Sequence, residues 1–460
     1  MAKIAALGAY IYQSLLAFGL LIVVANLLPA TDYAAYSLFI SIVQFADIFC
    51  FQWIRAASSR FYPGPDEASE QAERQVIVTE LSGSAGICLL AAFLGPLFGV
   101  PVWIGLVGAL AAILQGAGEL HLTMLRFRQE FHLFSWLQGA RATILAVTTV
   151  GGAAIHPDLA HVLAGVLAGN LIYCVIAWAR SRHVMPLSAG WDGEIARRNL
   201  VYGGISAGAG VATLLVPLGL KSILLGSLGT AAAGPMLALD LLQRPFVMVT
   251  SSLQAIRFPE LVAQFDRKIG AQAIQAELGR YYALLVGLSL IGAAGIIAVL
   301  GLATQLVVPT ALQESFLRTA PFVMMMAMLR GLVQTVLPAP AHLQRRLHLI
   351  LGLAVIDCVL TCGGALAGAW LLAGTDTAIT AGAAIGAAAA TAVGVLIQRW
   401  RSFAMPWQPV LLPGAALLLA WLISDLAPGG NLLISTGLAL AAVVALSARP
   451  LFTLVRWIAR

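Results

Sequence analysis

The chain has 460 residues, 60% of them hydrophobic and 10% charged, with a formal net charge of +6. A soluble domain carries about 25% charged residues, so this composition excludes one and points to the membrane. The positive excess sits at junctions between apolar stretches, where it sets orientation and meets anionic lipid headgroups, so it does not imply a nucleic-acid partner.

A membrane span needs roughly 20 apolar residues. About fourteen such stretches follow one another, which predicts an all-α polytopic membrane protein. They are 4–28, 33–54, 76–98, 101–124, 134–155, 159–179, 198–220, 228–255, 281–308, 316–338, 347–373, 377–398, 409–426 and 431–455. Lys3 before the first stretch is reminiscent of a signal peptide. Its apolar segment is too long for one, so an uncleaved first span is expected.

Basic residues gather at every second junction. Lys3 precedes the first span; Arg55, Arg60 and Arg74 follow the second, and Arg126 and Arg128 the fourth. Arg180, Arg182, Arg197 and Arg198 follow the sixth, and Arg257, Arg267, Lys268 and Arg280 the eighth. Arg345 and Arg346, then Arg399 and Arg401, then Arg449, Arg456 and Arg460 complete the series. Positive flanks stay in the cytoplasm, so both termini are expected there. The intervening external junctions, such as Pro29–Asp32, His156–Asp158, Ala373–Asp376 and Pro428–Asn431, are too short to hold a domain. Function must then reside among the spans. Residues 259–279 read as an amphipathic helix on the membrane surface, with Leu261, Phe265, Ile269 and Ile274 opposing Asp266, Arg267 and Lys268.

A faint internal repeat relates Thr31 through Arg60-Phe61-Tyr62-Pro63 to Thr230 through Arg257-Phe258-Pro259. Its offset of about 200 residues equals six spans, the parallel repeat of a transporter with a central cavity. The expected division is 1–180 and 198–398 as six-helix halves, with 409–455 as two added helices. Glycines crowd the seventh span (Gly203, Gly204, Gly208, Gly210) and the eleventh (Gly363, Gly364, Gly368), where they allow close helix packing and, at some positions, hinges. The five cysteines, Cys50, Cys88, Cys174, Cys358 and Cys362, all fall in apolar spans and imply neither disulfides nor a metal site.

Thr31-Asp-Tyr-Ala-Ala-Tyr-Ser-Leu, a span, then Arg55 and Arg60-Phe-Tyr-Pro resembles the second helix of Wzx-type polysaccharide flippases. These belong to the multidrug/oligosaccharidyl-lipid/polysaccharide exporter superfamily. Leu228-Gly229 to Phe258-Pro259-Glu260-Leu261 resembles the second-half equivalent, and Ala320-Pro321 to Arg345-Arg346 the tenth helix and its turn. The chain departs from the family at Leu220-Lys221, where an Asp-Arg pair is common, and at Gly234-Pro235-Met236, where Gly-x-Tyr-Ser is common. The resemblance implies a flippase, not an enzyme. It would move an undecaprenyl-diphosphate-linked oligosaccharide across a bacterial inner membrane for O-antigen, capsule or exopolysaccharide assembly, with no catalytic residue and no cofactor. A polysaccharide polymerase or glycosyltransferase complex is the implied partner. Two alternatives stand: a cation-coupled drug exporter of the same superfamily, and a membrane glycosyltransferase or polymerase acting on the lipid carrier.

Five basic residues lie away from the cytoplasmic junctions: Arg141, Lys221, Arg244, Arg318 and Arg330. Charge inside a membrane is costly and is a functional hypothesis by default. A lipid diphosphate would suit them, because the arginine fork matches phosphate oxygens. Arg141, Arg244 and Arg330 fall at similar inner depth, Lys221 and Arg318 near the outer surface. Against substrate contact stand structural ion pairs: Asp240 with Arg244 at i, i+4, Asp357 with Arg330, and Asp47 at a depth like that of Arg141. Asp47, Asp240 and Asp357 are also the candidates for ion coupling. Glu119 falls near a cytoplasmic exit, where solvation would suffice, and Glu80 within the third span.

The orientation makes a direct prediction. In a cysteine-free background, Gly430→Cys should react with an impermeant thiol reagent in intact cells, and Gly64→Cys only after permeabilisation. Labelling of position 64 from outside would overturn the orientation.

Overall fold

The computed structural model describes residues 2–63, 66–95, 101–184, 188–247, 250, 271–344, 346–371, 374–399, 408–425 and 432–459. Helices account for nearly all of them: α1 (Ala2–Leu27), α2 (Ala30–Phe61), α3 (Glu67–Ala92), α4 (Val102–Phe127) and α5 (Phe131–Ile155). Next come α6 (Leu159–Arg180), α7 (Gly193–Leu228) and α8 (233–247). The remainder are α9 (Ala271–Val307), α10 (Gln313–Gly331), the short α11 (Ala339–Leu343), α12 (Leu347–Leu371), α13 (Asp376–Arg399), α14 (Gln408–Asp425) and α15 (Leu432–Ala459). Each expected span overlaps a helix. The surface segment 259–279 lies outside the described residues as far as 270, and so do Arg257-Phe258-Pro259, Arg401 and the junction 426–431.

Local chemistry sets the helix ends. Asp66 caps α3 in a reciprocal box with Ser69, and Asp158 caps α6 by accepting from the His161 N–H. Prolines precede α2 and α4, at Pro29 and Pro101, where their fixed φ suits a helix entrance. No loop separates α7 from α8; a single 3-10 turn, Gly229–Ala232, joins them, with Gly229 at φ +55°.

Among the described residues, ten helical segments are long and apolar enough to cross a membrane, and one of them, Gly193–Val247, unites α7 and α8. The chain is a multi-pass membrane protein. Leu15, Leu90, Ile155, Trp370 and Leu371 point outward, which hydrocarbon tolerates and water does not. At the basic ends, Arg182 lies 4.4 Å from the Trp178 ring and Arg180 lies 5.4 Å from that of Trp136.

The chain folds as two compact units, Met1–Leu218 and Gly219–Arg460. The division falls beside Pro217, inside α7, where the missing N–H removes a backbone bond. In the first unit α1 packs on α5, α2 on α4, and both α4 and α5 on α6. The second repeats part of this plan, with α10 and α12 both on α13. Its α14 and α15 pack against α9, where Ala416, Ala420 and Ala439 meet Ala293, Ala294 and Ile297.

Small residues permit the closest of these approaches. Gly364 of α12 and Gly382 of α13 face each other, so a Cβ on either would strike the carbonyl of the other. Gly165 of α6 lies against the Thr148 carbonyl of α5 in the same way. Gly364→Leu is expected to prise α12 from α13 and cost about 1–3 kcal/mol, read as a lower melting temperature in detergent. Gly363→Leu, which meets open space, should leave it nearly unchanged.

Candidate functional site

Packing of α1, α2, α4, α5 and α7 in the first unit leaves a cavity of ≈ 450 Å³. Tyr10 and Gln13 line it from α1, and Asp47, Gln52, Arg55 and Ser59 from α2. From α4 come Glu119, Thr123 and Arg126, from α5 Phe134 and Gln138, and from α7 Ser206. These positions belong to the C-terminal halves of α2 and α4 and the N-terminal halves of α1 and α5. In alternating spans those are the same end, the basic one. A cavity walled by amides, hydroxyls and charges is a hydrophilic compartment among otherwise apolar helices.

Its charges are arranged in pairs, with one exception. Arg55 donates to Asp47 through both terminal nitrogens, at 3.1 and 3.0 Å, and through Nε to Gln52 at 3.1 Å. The Gln115 amide adds a longer bond to Asp47, 3.4 Å. Arg141, 5% exposed, pairs with Glu119 and lies 5.6 Å from the Tyr173 ring. Gln138 donates to Gln13 beside them. Arg126 is the exception: it is exposed to the cavity and makes no ion pair among the described residues.

Arg55 and Arg126 stand in the sequence as orientation-setting cytoplasmic bases, yet both line the cavity. Conversely, Arg141 is turned to Glu119, whose side chain is also about a third exposed, so the carboxylate has both a cation and the cavity beside it. Asp47 is committed to Arg55. The signals were present. Asp47 and Arg55 are eight residues apart, about 80° around a helix, which keeps them within one broad helix stripe. Glu119 and Arg141 are almost equidistant from the α4–α5 turn, which places them at one depth in antiparallel neighbours.

The second unit pairs its charges by the same rule. Lys221, 4% exposed, meets Asp240 at 2.6 Å, and the two are equidistant from the Gly229–Ala232 turn. This replaces the i, i+4 pair considered between Asp240 and Arg244, because the hairpin brings Lys221 to Asp240 first. Lys221, about two turns before the Gly229–Ala232 turn, is buried among the helices. Arg330 meets Asp357 at 3.0 Å, again across a turn, and Asp357 also accepts from Gln334 at 3.4 Å and Thr361 at 3.1 Å. Arg318 is half exposed at a helix end, 3.4 Å from Asp376 and 3.6 Å from Glu314. Arg244 is partly buried and has no ion-pair partner among the described residues.

Glu80 differs from the other buried carboxylates. It is 6% exposed, and its contact is the neutral Asn199 amide at 3.3 and 3.4 Å; no cation stands within ion-pair distance among the described residues. Outside the spans, Glu70 accepts from Arg128 at 2.6 Å and from Tyr62 at 2.9 Å, which ties the α2–α3 turn to the α4–α5 turn. Burial pushes the Tyr62 phenol up to about 12, so it remains a donor at physiological pH.

No protein-family model matches the chain, and no curated protein matches its sequence. Solved structures do match. A lipid II flippase, MurJ, in an inward closed conformation superposes with TM-score 0.76 at 10% identity, covering 98% of this chain and 100% of that one. An inward-facing multidrug-resistance transporter of the MATE family, within the MOP superfamily, gives 0.67 at 13% identity, covering 85% and 94%. A MOP-superfamily transporter from Pyrococcus furiosus gives 0.57 at 14%, covering 86% and 94%. The fold of this chain is therefore the one these transporters share, as the sequence resemblance implied.

The buried pair in the second unit has a measurable role in stability. Arg330→Ala strands Asp357 without its cation and should cost about 3–5 kcal/mol. Removing both charges, Arg330→Ala with Asp357→Ala, should restore much of the thermal stability and the level of inserted protein. A double variant no more stable than the single one would show that the pair does not hold the fold.

Proposed function

We propose that this protein is a transporter that flips a lipid-linked oligosaccharide across the bacterial inner membrane by alternating access, both termini being cytoplasmic. The observation that carries the reading is the hydrophilic cavity at the basic end of the first unit, with Arg126 unpaired on its wall. The fold shared with a lipid II flippase and with MATE transporters supports it. In this reading Arg126 receives the diphosphate, and Arg55, released in part from Asp47, completes the fork. Two parallel N–H···O bonds from a guanidinium suit a phosphate group, and a low-dielectric wall strengthens them.

The intramembrane cations then divide by role. Arg141, Lys221 and Arg330 hold carboxylates and shape the helix bundle. Arg244 remains a candidate substrate contact in the second unit. Asp47, Asp240 and Asp357 each have a basic partner, so ion coupling through any of them would require that partner to be displaced. A drug exporter selecting organic cations would be expected to expose a carboxylate in its cavity, whereas here Asp47 and Glu119 each pair with an arginine, and Glu80, which has no cation partner among the described residues, is buried and not part of the cavity lining. A polysaccharide polymerase or glycosyltransferase is the proposed partner, because a flipped saccharide needs a consumer on the far side.

Arg126→Ala, at normal protein level, should lower export of the lipid-linked saccharide by roughly ten- to a hundredfold, the effect of losing charge-assisted hydrogen bonds. Arg126→Lys should recover part of it, keeping charge without the fork. Lipid-linked saccharide should accumulate in the inner leaflet. Full export by Arg55→Ala/Arg126→Ala at normal levels would end this assignment, and accumulation in the outer leaflet would point to a polymerase instead.

A further inference from the structure

The loop between α5 and α6 carries a side-chain cluster that the transport reading does not use. His156, the residue that ends α5, lies 2.8 Å through Nδ1 from Asp158 Oδ2. His161, in the first turn of α6, lies 2.8 Å through Nδ1 from the other oxygen, Oδ1. The two rings stack with centroids 5.1 Å apart and planes at 28°. Both imidazoles thus turn the same nitrogen toward one carboxylate, and the ligand-capable atoms of all three residues lie within 4.8 Å of one another.

The backbone under them is tightly fixed. The His156 N–H donates to the Gly152 carbonyl at 3.2 Å, and the Asp158 N–H to the His156 carbonyl at 2.9 Å. The His161 N–H donates to Asp158 Oδ1 at 2.9 Å. Pro157 restricts the chain between the first two residues. Gly152 lets the His161 carbonyl sit directly on α5; a side chain there would push α6 away. The helix cap itself requires only the Asp158 carboxylate. Neither imidazole is needed for it, and His156 precedes the helix altogether.

We propose that His156, Asp158 and His161 form a binding site for a divalent transition-metal ion, of the nitrogen–oxygen type that zinc occupies. Two imidazoles and a carboxylate are a common three-ligand set for Zn²⁺, which leaves a fourth position for water or an incoming group. With metal–ligand bonds of about 2.0–2.1 Å at tetrahedral angles, neighbouring ligand atoms stand about 3.3 Å apart, so each ring opens from its carboxylate oxygen, now 2.8 Å away, by about half an ångström to admit the ion. The rings are half-exposed or more and free to do so, while the backbone that carries them is already in place. On binding, each neutral imidazole shifts its proton from Nδ1, where it faces Asp158, to Nε2 and presents Nδ1 to the metal, with no net proton released. Asp158 supplies the anionic ligand of the set. No Lys or Arg occurs between Arg141 and Arg180 to compete for it along this hairpin. A bound ion would join the end of α5 to the start of α6.

The test uses the full chain purified in detergent with a tag free of histidine and stripped with a chelator. Zn²⁺ is titrated against a chromophoric competitor, and Co²⁺ is added separately as a spectroscopic probe. The wild-type chain should bind one Zn²⁺ that His156→Asn/His161→Asn lacks, at least tenfold more tightly than any remaining site. Co²⁺ should give the visible bands of a tetrahedral nitrogen–oxygen site, again absent from the variant. Zn²⁺ should also raise the melting temperature of the wild type and not of the variant. Because Asn preserves hydrogen bonding to Asp158, the apo proteins should melt alike; Asp158→Asn, which keeps a capping oxygen, should also weaken Zn²⁺ binding. Equal Zn²⁺ affinity and stoichiometry in the wild type and the double variant would mean an adventitious ion only, and would overturn the proposal.

Discussion

A charge inside hydrocarbon must meet its opposite, and much else in this molecule follows from that requirement. The penalty for an isolated buried ion is several kcal/mol even after relaxation. The solution adopted repeatedly is a pair across a helical hairpin. Glu119 meets Arg141 across the α4–α5 turn, Lys221 meets Asp240 across the α7–α8 turn, and Arg330 meets Asp357 across the turn before α12. In each case both partners stand about equally far from their turn, as antiparallel neighbours must if they are to share a depth. The pairs therefore constrain register: sliding one helix by a turn would part them at a cost the bilayer enforces. Glu80 and Arg244 stand outside this pattern among the described residues, and Arg126, exposed in the last turn of α4, lines the cavity without an ion pair.

Much of the fold was legible in the sequence because hydropathy and the alternation of arginines report on a single dominant variable, depth in the bilayer. Each apolar stretch overlaps a helix among the described residues, and the shared fold is the one that the Thr31–Pro63 and Ala320–Arg346 segments suggested. What that variable does not report is azimuth, the direction in which a side chain leaves its helix. Arg55 and Arg126 sit where cytoplasmic anchors belong, and their depth concealed that both face inward. Asp240 has two cations within reach of its depth, and only the hairpin geometry selects Lys221 over Arg244. The pair of Arg330 and Asp357 was readable because equal depth and a single short turn left few alternatives. Spacing rules for metal sites apply to the cysteines, whereas the histidines that converge on Asp158 do so through a cap and a turn.

Packing shows a second regularity. Within each unit a tight hairpin, α5 with α6 and α12 with α13, is built on glycine facing backbone, and a helix earlier in the chain, α4 or α10, leans on its second member. Lipid tails are as apolar as leucine, so close van der Waals contact is what distinguishes a helix neighbour from the solvent. Small residues at the seam turn two helices into one stiff element. The charged cavity of the first unit is flanked by such an element, which lets Arg141 be held by α5 without the site losing its shape.

The wide turn Leu332–Val336 that follows Arg330 has a separate consequence. There the chain makes a π-type turn, with the Leu337 N–H reaching back to the Leu332 carbonyl at 3.0 Å. Such a turn holds one residue more than an α-turn, so it advances everything after it by about 100° around the axis. Arg330 and Gln334 flank its start and both reach Asp357. Loss of a single residue from this stretch would restore ordinary α-geometry and rotate the remainder of the helix toward α11 by that same angle. The turn is thus an adjustable phase setting: one residue decides which side of the helix faces the buried carboxylate and which faces its other neighbours.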